Sequence, residues 1–409
     1  MMETLAESAP PGSTKPSPQR LPLVAIGGRW GKTTTARLLE AMLQRHAVKL
    51  ALWTDQGVWV QGRRQRGELI PWGESLRSLV DGELDLAIQE LDARTVNAAG
   101  LPPATYSLGI ITSFCGNDRL CEAEARAQVE RQAQLALIRA ISPEGALVLN
   151  ADDHVVADEG GHTTANLIYY SVARSNPIVR AHLAAGKRAV TISSGMIVLC
   201  EGRRSQPVVS VREVAIAVGG AIIFQVQNAL AAVAAAWHLG VPPTEIAATL
   251  CAFTSSPTMM PGACNQFAIE GATVILDRFH DAVSARVLVR GLRKVPNRRR
   301  RIVVLSEAQL PQMNAPEIGR LLGQSFDQVI VHHDRGQQGG PPPAAASAVA
   351  KVLLTSIARS KMPPIVNGVA SELVALDRLL RQIGPNDLAL VLAVDQRLAV
   401  RTLMTHRAR

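Results

Sequence analysis

Leu21 to Leu43 reads LPLVAIGGRWGKTTTARLLEAML. The apolar run LPLVAIG has the length and make-up of a buried strand. Beyond Lys32, the residues Ala36, Leu39, Met42 and Leu43 fall on one face of a helix. A strand that ends in glycines and opens into a helix presents consecutive backbone N–H groups, and the positive end of the helix dipole, to an anion. Gly28 and Gly31 let the backbone approach phosphates. Lys32 can reach the β- and γ-phosphates, and the hydroxyl of Thr33 or Thr34 is available to Mg²⁺. The long G-x-x-x-x-G-K-[ST] pattern is not met, because Ile26 stands where its first glycine belongs; the shorter G-x-x-G-K-T-T form is met. Strand, glycines, GKTTT and helix together point to a nucleotide. The plainer alternative is a glycine turn with an incidental lysine.

Outward from this stretch the pattern alternates. DLAIQEL (85–91), SLGIITS (107–113) and ALVLN (146–150) repeat the strand signature. A helical stretch runs from Glu122 to about Ile141, where SPEG stops it. Residues 188–217 hold short β-rich runs that predict a small antiparallel sheet, and FQVQNALAAVAAAWHLG predicts an alanine-rich helix ending at Gly240. After AFTSSPTMMPG comes a hairpin, NQFAIEGATVILD, turning at Glu270–Gly271. Then follow a helix from Ala282, the strand RIVVLS, a helix near Glu317, the strand DQVIV, a helix from Ala344 to Arg359 and the strand DLALVLA, with QQGGPPPAAA as an internal loop. This alternation predicts an α/β protein with right-handed crossovers. A mostly parallel, P-loop-type sheet over residues 21–256 is followed by a second, Rossmann-like α/β unit over 257–409.

Composition narrows the classes. Of 409 residues, 47% are hydrophobic but only 3% aromatic, which suits helices on buried parallel strands and leaves few stacking residues for single-stranded nucleic acid. No apolar stretch reaches the ~18 residues of a membrane span. The first twenty residues lack an apolar signal core and are rich in Pro and Ser, so a disordered tail and a cytoplasmic protein are expected. Cys115, Cys121, Cys200, Cys251 and Cys264 are odd in number and form no CxxC pair, which predicts reduced thiols and no zinc site. The net charge of +9 favours anionic ligands. NRRRR, Asn297 to Arg301, runs directly into IVVL; it reads as a solvated loop entering a strand, with nucleic-acid contact as the alternative.

The chain resembles the Mur ligases, and within them the C-terminal, Mur-like half of cyanophycin synthetase. The likeness rests on GKTTTARLL, VLNADD (148–153), NPIVRAHLAAGKRAV, NALAAVAAAW, LGVPP, Pro261–Gly262, and DRFHDA (277–282) where the family has D-Y-A-H-N-P. It implies ATP and Mg²⁺ as cofactors, activation of a carboxylate as an acyl phosphate, and displacement of phosphate by an amine. By the same resemblance Gly28, Arg29, Trp30, Gly31, Lys32, Thr33 and Thr34 form the phosphate loop. Glu90 joins Thr33 as a magnesium ligand, Asn228 contacts the adenine, and Asp277 and His280 form the D-x-x-H of the C-terminal unit. Read alone, Glu90 could equally be a solvated strand-end carboxylate, and Asn228, Asp277 and His280 could be caps or satisfied polar groups.

The pattern breaks around the second metal. In TSFCGNDRL, Ser113 replaces the family's asparagine and Arg119 its metal-binding histidine; a guanidinium has no lone pair for a metal. Gln134 falls where the family carries a lysine that becomes carbamylated, Ala263 replaces the arginine of P-G-R, and Arg29 and Trp30 stand where T-N is usual. Arg278 and Asp281 are substitutions within DRFHDA. Arg119 could instead supply the missing metal's charge, as arginine does elsewhere in phosphoryl transfer, and would then count with Lys32 and His280 as catalytic. With about twenty residues before the loop, neither a UDP-binding domain nor an ATP-grasp half is expected. Two readings follow. One is an ATP-dependent carboxylate–amine ligase acting on an amino acid and a peptide or cyanophycin-like acceptor. The other is a catalytically inactive nucleotide-binding regulator or scaffold, partnering a separate ATP-grasp ligase. A homo-oligomer is compatible with both; nucleic acid and membrane partners are not expected.

Overall fold

The computed structural model describes residues 22–46, 48–65, 84–115, 125–278, 282–295, 299–307, 315–333, 343–359 and 362–407. Two α/β layers hold them. The first is an eleven-stranded sheet. It comprises β1 (Leu23–Gly27), β2 (Leu50–Thr54), β3 (Gly57–Val60), β4 (Arg63–Arg64), β5 (Leu86–Glu90), β6 (Tyr106–Ile111), β7 (Ile141–Asn150), β8 (Asn166–Ser171), β9 (Arg188–Ser193), β10 (Met196–Glu201) and β11 (Arg204–Ser210). Their order is β11-β10-β9-β8-β7-β6-β1-β5-β2-β3-β4.

β1 pairs in parallel with β5 on one side and β6 on the other, and all five of its residues are buried. Its alternation divides two cores. Val24 and Ile26 face the cluster built by α1 (Lys32–Arg45), the alanine-rich α6 (Ile223–His238) and α7 (Pro243–Ala252). Leu23 and Ala25 face the cluster under α2 (Ala93–Ala99), α3 (Ala125–Arg139), α4 (His154–Asp158) and α5 (Pro177–Ala184). A strand covered on both faces must be apolar throughout, which is why LVAIG carries no polar alternation. The short alanines of α6 let it lie close on the sheet, and eleven of its residues are buried.

The second sheet has six strands in the order β12-β13-β17-β14-β15-β16. These are β12 (Asn265–Ile269), β13 (Ala272–Arg278), β14 (Arg301–Ser306), β15 (Gln328–His332), β16 (Ile365–Val369) and β17 (Leu388–Ala393). The β12–β13 hairpin is antiparallel, as read at Glu270–Gly271, and the remaining pairs are parallel. Helices α8 (Ala282–Leu292), α9 (Ala315–Ser325) and α10 (Pro343–Ala358) cover one face; α11 (Glu372–Gln382) and α12 (Gln396–Arg407) cover the other. Ala221 and Ile222, just before α6, belong to the core of this second sheet. Gly291 on α8 makes the approach possible, since a Cβ there would sit 3.1 Å from the Ala221 carbonyl oxygen.

Three expectations need correction. The strand read at ALVLN (146–150) is longer: β7 already begins at Ile141, which pairs with Tyr106, and a register shift accommodates SPEG within it. The β-rich stretch near 188–217 is not a separate sheet. β9 pairs in parallel with β8, so the antiparallel β9-β10-β11 meander extends the edge of the large sheet. Cys115 is disulfide-bonded, while Cys200, Cys251 and Cys264 are free. Proximity in the fold, and not a CxxC spacing, decides which thiols can pair.

In the basic run, Arg299 and Arg300 both reach the buried Asp387 carboxylate, at 3.5 and 2.9 Å, and Arg301 opens β14. QQGGPPPAAA, apart from Pro343 and the three alanines that open α10, lies outside the described residues, as does the N-terminal stretch expected to be disordered. No helix among the described residues is long and apolar enough to cross a membrane.

Candidate functional site

β1 is the point where the strand order of the large sheet reverses, and in open α/β sheets ligands bind beyond the carboxyl ends of the strands at such a point. The carboxyl end of β13 faces the same space. Between them lies a cleft of about 1030 Å³. Residues 30–34, Glu90 and Asp152 line it from the first sheet, and Asp277, Arg278 and Arg286 line it from the second.

The loop after β1 is fixed by its neighbours. Arg29 and Trp30 donate backbone N–H groups to the Ser113 carbonyl at 2.8 and 3.3 Å, and Trp30 and Ser113 form an antiparallel bridge. Thr112 Oγ1 donates to the Trp30 carbonyl at 2.6 Å. The Arg29 guanidinium lies 4.8 Å from the Trp30 ring centre and its Nε lies 3.8 Å from Glu130 on α3. Gly31 caps α1 in the left-handed region, at φ +86°. No side chain caps that helix start, so its N–H groups point into the cleft without a side-chain acceptor.

Lys32 Nζ donates to the Gly28 carbonyl at 3.0 Å and lies 3.9 Å from Glu90 Oε1. Thr33 Oγ1 donates to Glu90 Oε2 at 2.8 Å. Of the two candidate threonines, Thr33 is the one that meets Glu90; Thr34 is buried at the start of α1. Burial pushes the Glu90 carboxyl above its usual range and the Asp55 charge adds to that, against the pull of Lys32 and the Thr33 hydrogen bond. Asp55, in the turn after β2, also offers its backbone N–H to Glu90. The Thr33 and Glu90 oxygens fit Mg²⁺, a hard cation that takes one or two protein oxygens and completes its shell with phosphates and water.

Asn228 is 4% exposed, donates to Gln225 Oε1 at 3.1 Å, and lies against Gly31, where a Cβ would run into its amide oxygen. Helix α6 therefore meets the β1–α1 loop at Asn228. On the opposite wall, Asp277 Oδ2 accepts from the Cys264 backbone N–H at 3.1 Å and from Cys264 Sγ at 2.7 Å. Burial pushes the Asp277 carboxyl up to about 7. The Arg278 N–H donates to the Gly262 carbonyl at 2.7 Å, and a Cβ on Gly262 would lie 3.2 Å from that of Arg278. Arg278 is thus rooted beside Ala263, the position without an arginine. Its Nη1 reaches Asp55 Oδ2 at 4.0 Å, which joins the two sheets across the cleft.

Arg119 and His280 lie outside the described residues. Gln134 is 4% exposed, and neither its Oε1 nor its Nε2 has a hydrogen-bond partner. It shares a face of α3 with Leu137, which lies against Gly27, and with Glu130, which meets Arg29. Sequence reasoning did not single out Asp153, which is fully buried: its carboxylate accepts from the Phe114 and Cys115 N–H groups at 2.6 and 2.9 Å and caps α4. Nor did it pick out Asp55. Both follow strands and open turns, which is the only local signal they carry.

The family model described as Mur ligase middle domain matches residues 26–236. A cyanophycin synthetase of Synechocystis sp. is 25% identical over 378 residues, covering 92% of this chain and 42% of that protein. The chain therefore spans about two fifths of that relative's length. Among solved structures, Escherichia coli FolC in complex with DHPP and ADP shares the fold at TM-score 0.65 and 15% identity, over 95% of this chain and 89% of that one. A bifunctional folylpolyglutamate synthase/dihydrofolate synthase of Yersinia pestis, complexed with AMPPNP and Mn, matches at TM-score 0.62 and 18% identity, over 96% and 89% of the two chains.

Proposed function

The chain belongs to the Mur ligase family, and from that premise we propose that it binds MgATP between its two sheets and uses it to join a carboxylate to an amine. The substrates are an amino acid and a peptide or cyanophycin-like acceptor. The nucleotide-binding unit is residues 21–256, and the Rossmann-like unit that closes on it is 257–409.

One observation carries the reading. Lys32 Nζ, Thr33 Oγ1 and both Glu90 oxygens converge at the uncapped start of α1. Such a start binds phosphate through backbone N–H groups. Lys32 exchanges the Gly28 carbonyl for phosphate oxygens. Thr33 and Glu90 hold Mg²⁺, which screens the charge on the phosphates. Asn228 keeps α6 against the loop and contacts the base, and Asp277 meets the nucleotide from the second sheet. Arg29 and Trp30 contribute through the loop backbone. Lys32, Arg119 and His280 are the proposed catalytic side chains.

Titration of ADP and AMPPNP, with and without Mg²⁺, into the wild type and Lys32→Ala tests the nucleotide site. Equal affinity in the two proteins, or none in the wild type, would overturn it. Phosphate release that requires both acceptor and amine tests the ligation step.

A second reading is favoured by Gln134. A buried amide cannot take up carbon dioxide as a lysine amine can, and here its polar atoms meet no partner. On this reading the chain is a nucleotide-binding regulator or scaffold for a separate ATP-grasp ligase. It predicts tight nucleotide binding with no amine-dependent phosphate release.

A further inference from the structure

The cations that line the cleft are not equally committed. Lys32 rests on the Gly28 carbonyl, 3.0 Å away. Arg286, from the second sheet, is held by both oxygens of Glu317 at 2.8 and 3.1 Å. Arg29 is nearly buried and faces Glu130. Arg278 differs. Its backbone is anchored at 2.7 Å to the Gly262 carbonyl, while its guanidinium reaches 4.0 Å across to Asp55. Both side chains of that pair are substantially exposed, at 32% and 52%. A long contact between hydrated charges is weakly held and readily exchanged for a better acceptor.

What lies beside Asp55 gives the exchange a direction. The Asp55 N–H contacts the Glu90 carboxylate, and Glu90 in turn meets Thr33 and Lys32. The guanidinium is therefore linked to the start of α1 through Asp55 and Glu90. A dianionic phosphate end offers a planar guanidinium two parallel hydrogen bonds, which a single carboxylate oxygen at 4.0 Å does not.

Building on the proposed nucleotide site, we infer that Arg278 is the residue by which the second sheet recognises the terminal phosphate of a nucleoside triphosphate, leaving Asp55 to do so. Asp55 holds the arginine near the phosphate end while no triphosphate is bound. A diphosphate leaves the Arg278–Asp55 pair in place. Arg278 thus makes the wall formed by the second sheet sensitive to the nucleotide's phosphorylation state.

Affinities for ADP and for the non-hydrolysable analogue AMPPNP, both with Mg²⁺, test this in the full chain. Arg278→Ala is expected to weaken AMPPNP at least tenfold and ADP less than twofold. Arg278→Lys keeps the charge but loses the fork, and should fall between. Asp55→Asn frees the guanidinium and removes a negative charge near the phosphates, so AMPPNP affinity should hold or rise. An equal loss for the two nucleotides in Arg278→Ala, or no loss for either, would overturn the inference while leaving the nucleotide site standing. A wild type that binds neither nucleotide would overturn the site itself and the inference with it. Thermal melts of both Arg278 variants guard against misfolding, and a preference for AMPPNP unchanged in a folded Arg278→Lys would also count against the role.

Discussion

Thr33 Oγ1 donates a 2.8 Å hydrogen bond to Glu90 Oε2, so the first turn of α1 and the end of β5 already meet where a divalent cation would sit. A cation there would take both oxygens, with the neutral Thr33 hydroxyl turning its O–H away from Glu90. Glu90→Gln is therefore expected to weaken Mg²⁺-dependent ADP binding by tenfold or more, in line with the roughly 1.5–3 kcal/mol of a hydrogen bond to a charged group. Binding measured in EDTA should change little. Burial raises the Glu90 carboxyl, so protons compete with the metal at a higher pH than for an ordinary glutamate. Magnesium dependence should accordingly fade on acidification before the usual carboxylate range is reached. Isothermal titration across pH checks both points.

Gly31 tests the loop's geometry. An alanine at φ +86° adopts a left-handed backbone at a cost of about 1–2 kcal/mol, and its Cβ would also press into the Asn228 amide. Gly240, at φ +85°, has open space around it, with nothing within 4 Å of where a Cβ would sit. Gly31→Ala should lower the melting temperature more than Gly240→Ala and should abolish nucleotide binding. Similar melting losses with nucleotide affinity retained in both would show that the loop tolerates the change.

Asp277 sets a pH dependence whose sign is fixed by its environment. Its carboxyl titrates at about 7 in the folded chain because burial disfavours the charge, against an ordinary value of 3.8. Between those two pH values the folded chain holds a proton that the unfolded chain has released. Stability from this group therefore declines as pH rises through that window and levels off above it. Asp277→Asn keeps an acceptor for Cys264 and removes the titration. Its melting temperature should depend less on pH across this window than that of the wild type, which differential scanning calorimetry reads directly.

Gln134 makes a prediction of opposite sign. A buried amide with no partner forfeits roughly 1–3 kcal/mol of hydration. Gln134→Leu, of similar volume, should raise the urea midpoint without changing ADP affinity. A clear drop in the midpoint would show that the amide is satisfied in solution and carries a role.

The strand, glycine turn and helix at residues 23–45 were legible because they are contiguous, so local chemistry alone specifies them. Five strands of the second sheet were legible from their apolar runs; β16, the largely exposed IVNGV, carries no such run and was not read. What escaped was non-local. Whether β9–β11 form their own sheet depends on the pairing of Arg188 with Ile168, which strand patterning does not reveal. The helix does stop before SPEG, at Arg139, but that the next strand starts as early as Ile141 depends on Tyr106 being there to receive it. Within the site, Lys32, Thr33 and Glu90 were found and do meet, whereas the contact between Asp55 and Arg278 spans more than two hundred positions of sequence and has no local signature.

Ile222 has a mechanical consequence. It sits in the core of the second sheet, yet it directly precedes α6, and Asn228 on that helix touches Gly31 of the β1–α1 loop. Six helical residues rise about 9 Å. A rigid rod of that length links a fulcrum inside one half to the β1–α1 loop of the other. A swing like pages on a spine would pull Ile222 out of that core, whereas a short rocking about Ile222 keeps it there, and the same rod would carry a push on the loop back into the opposite core.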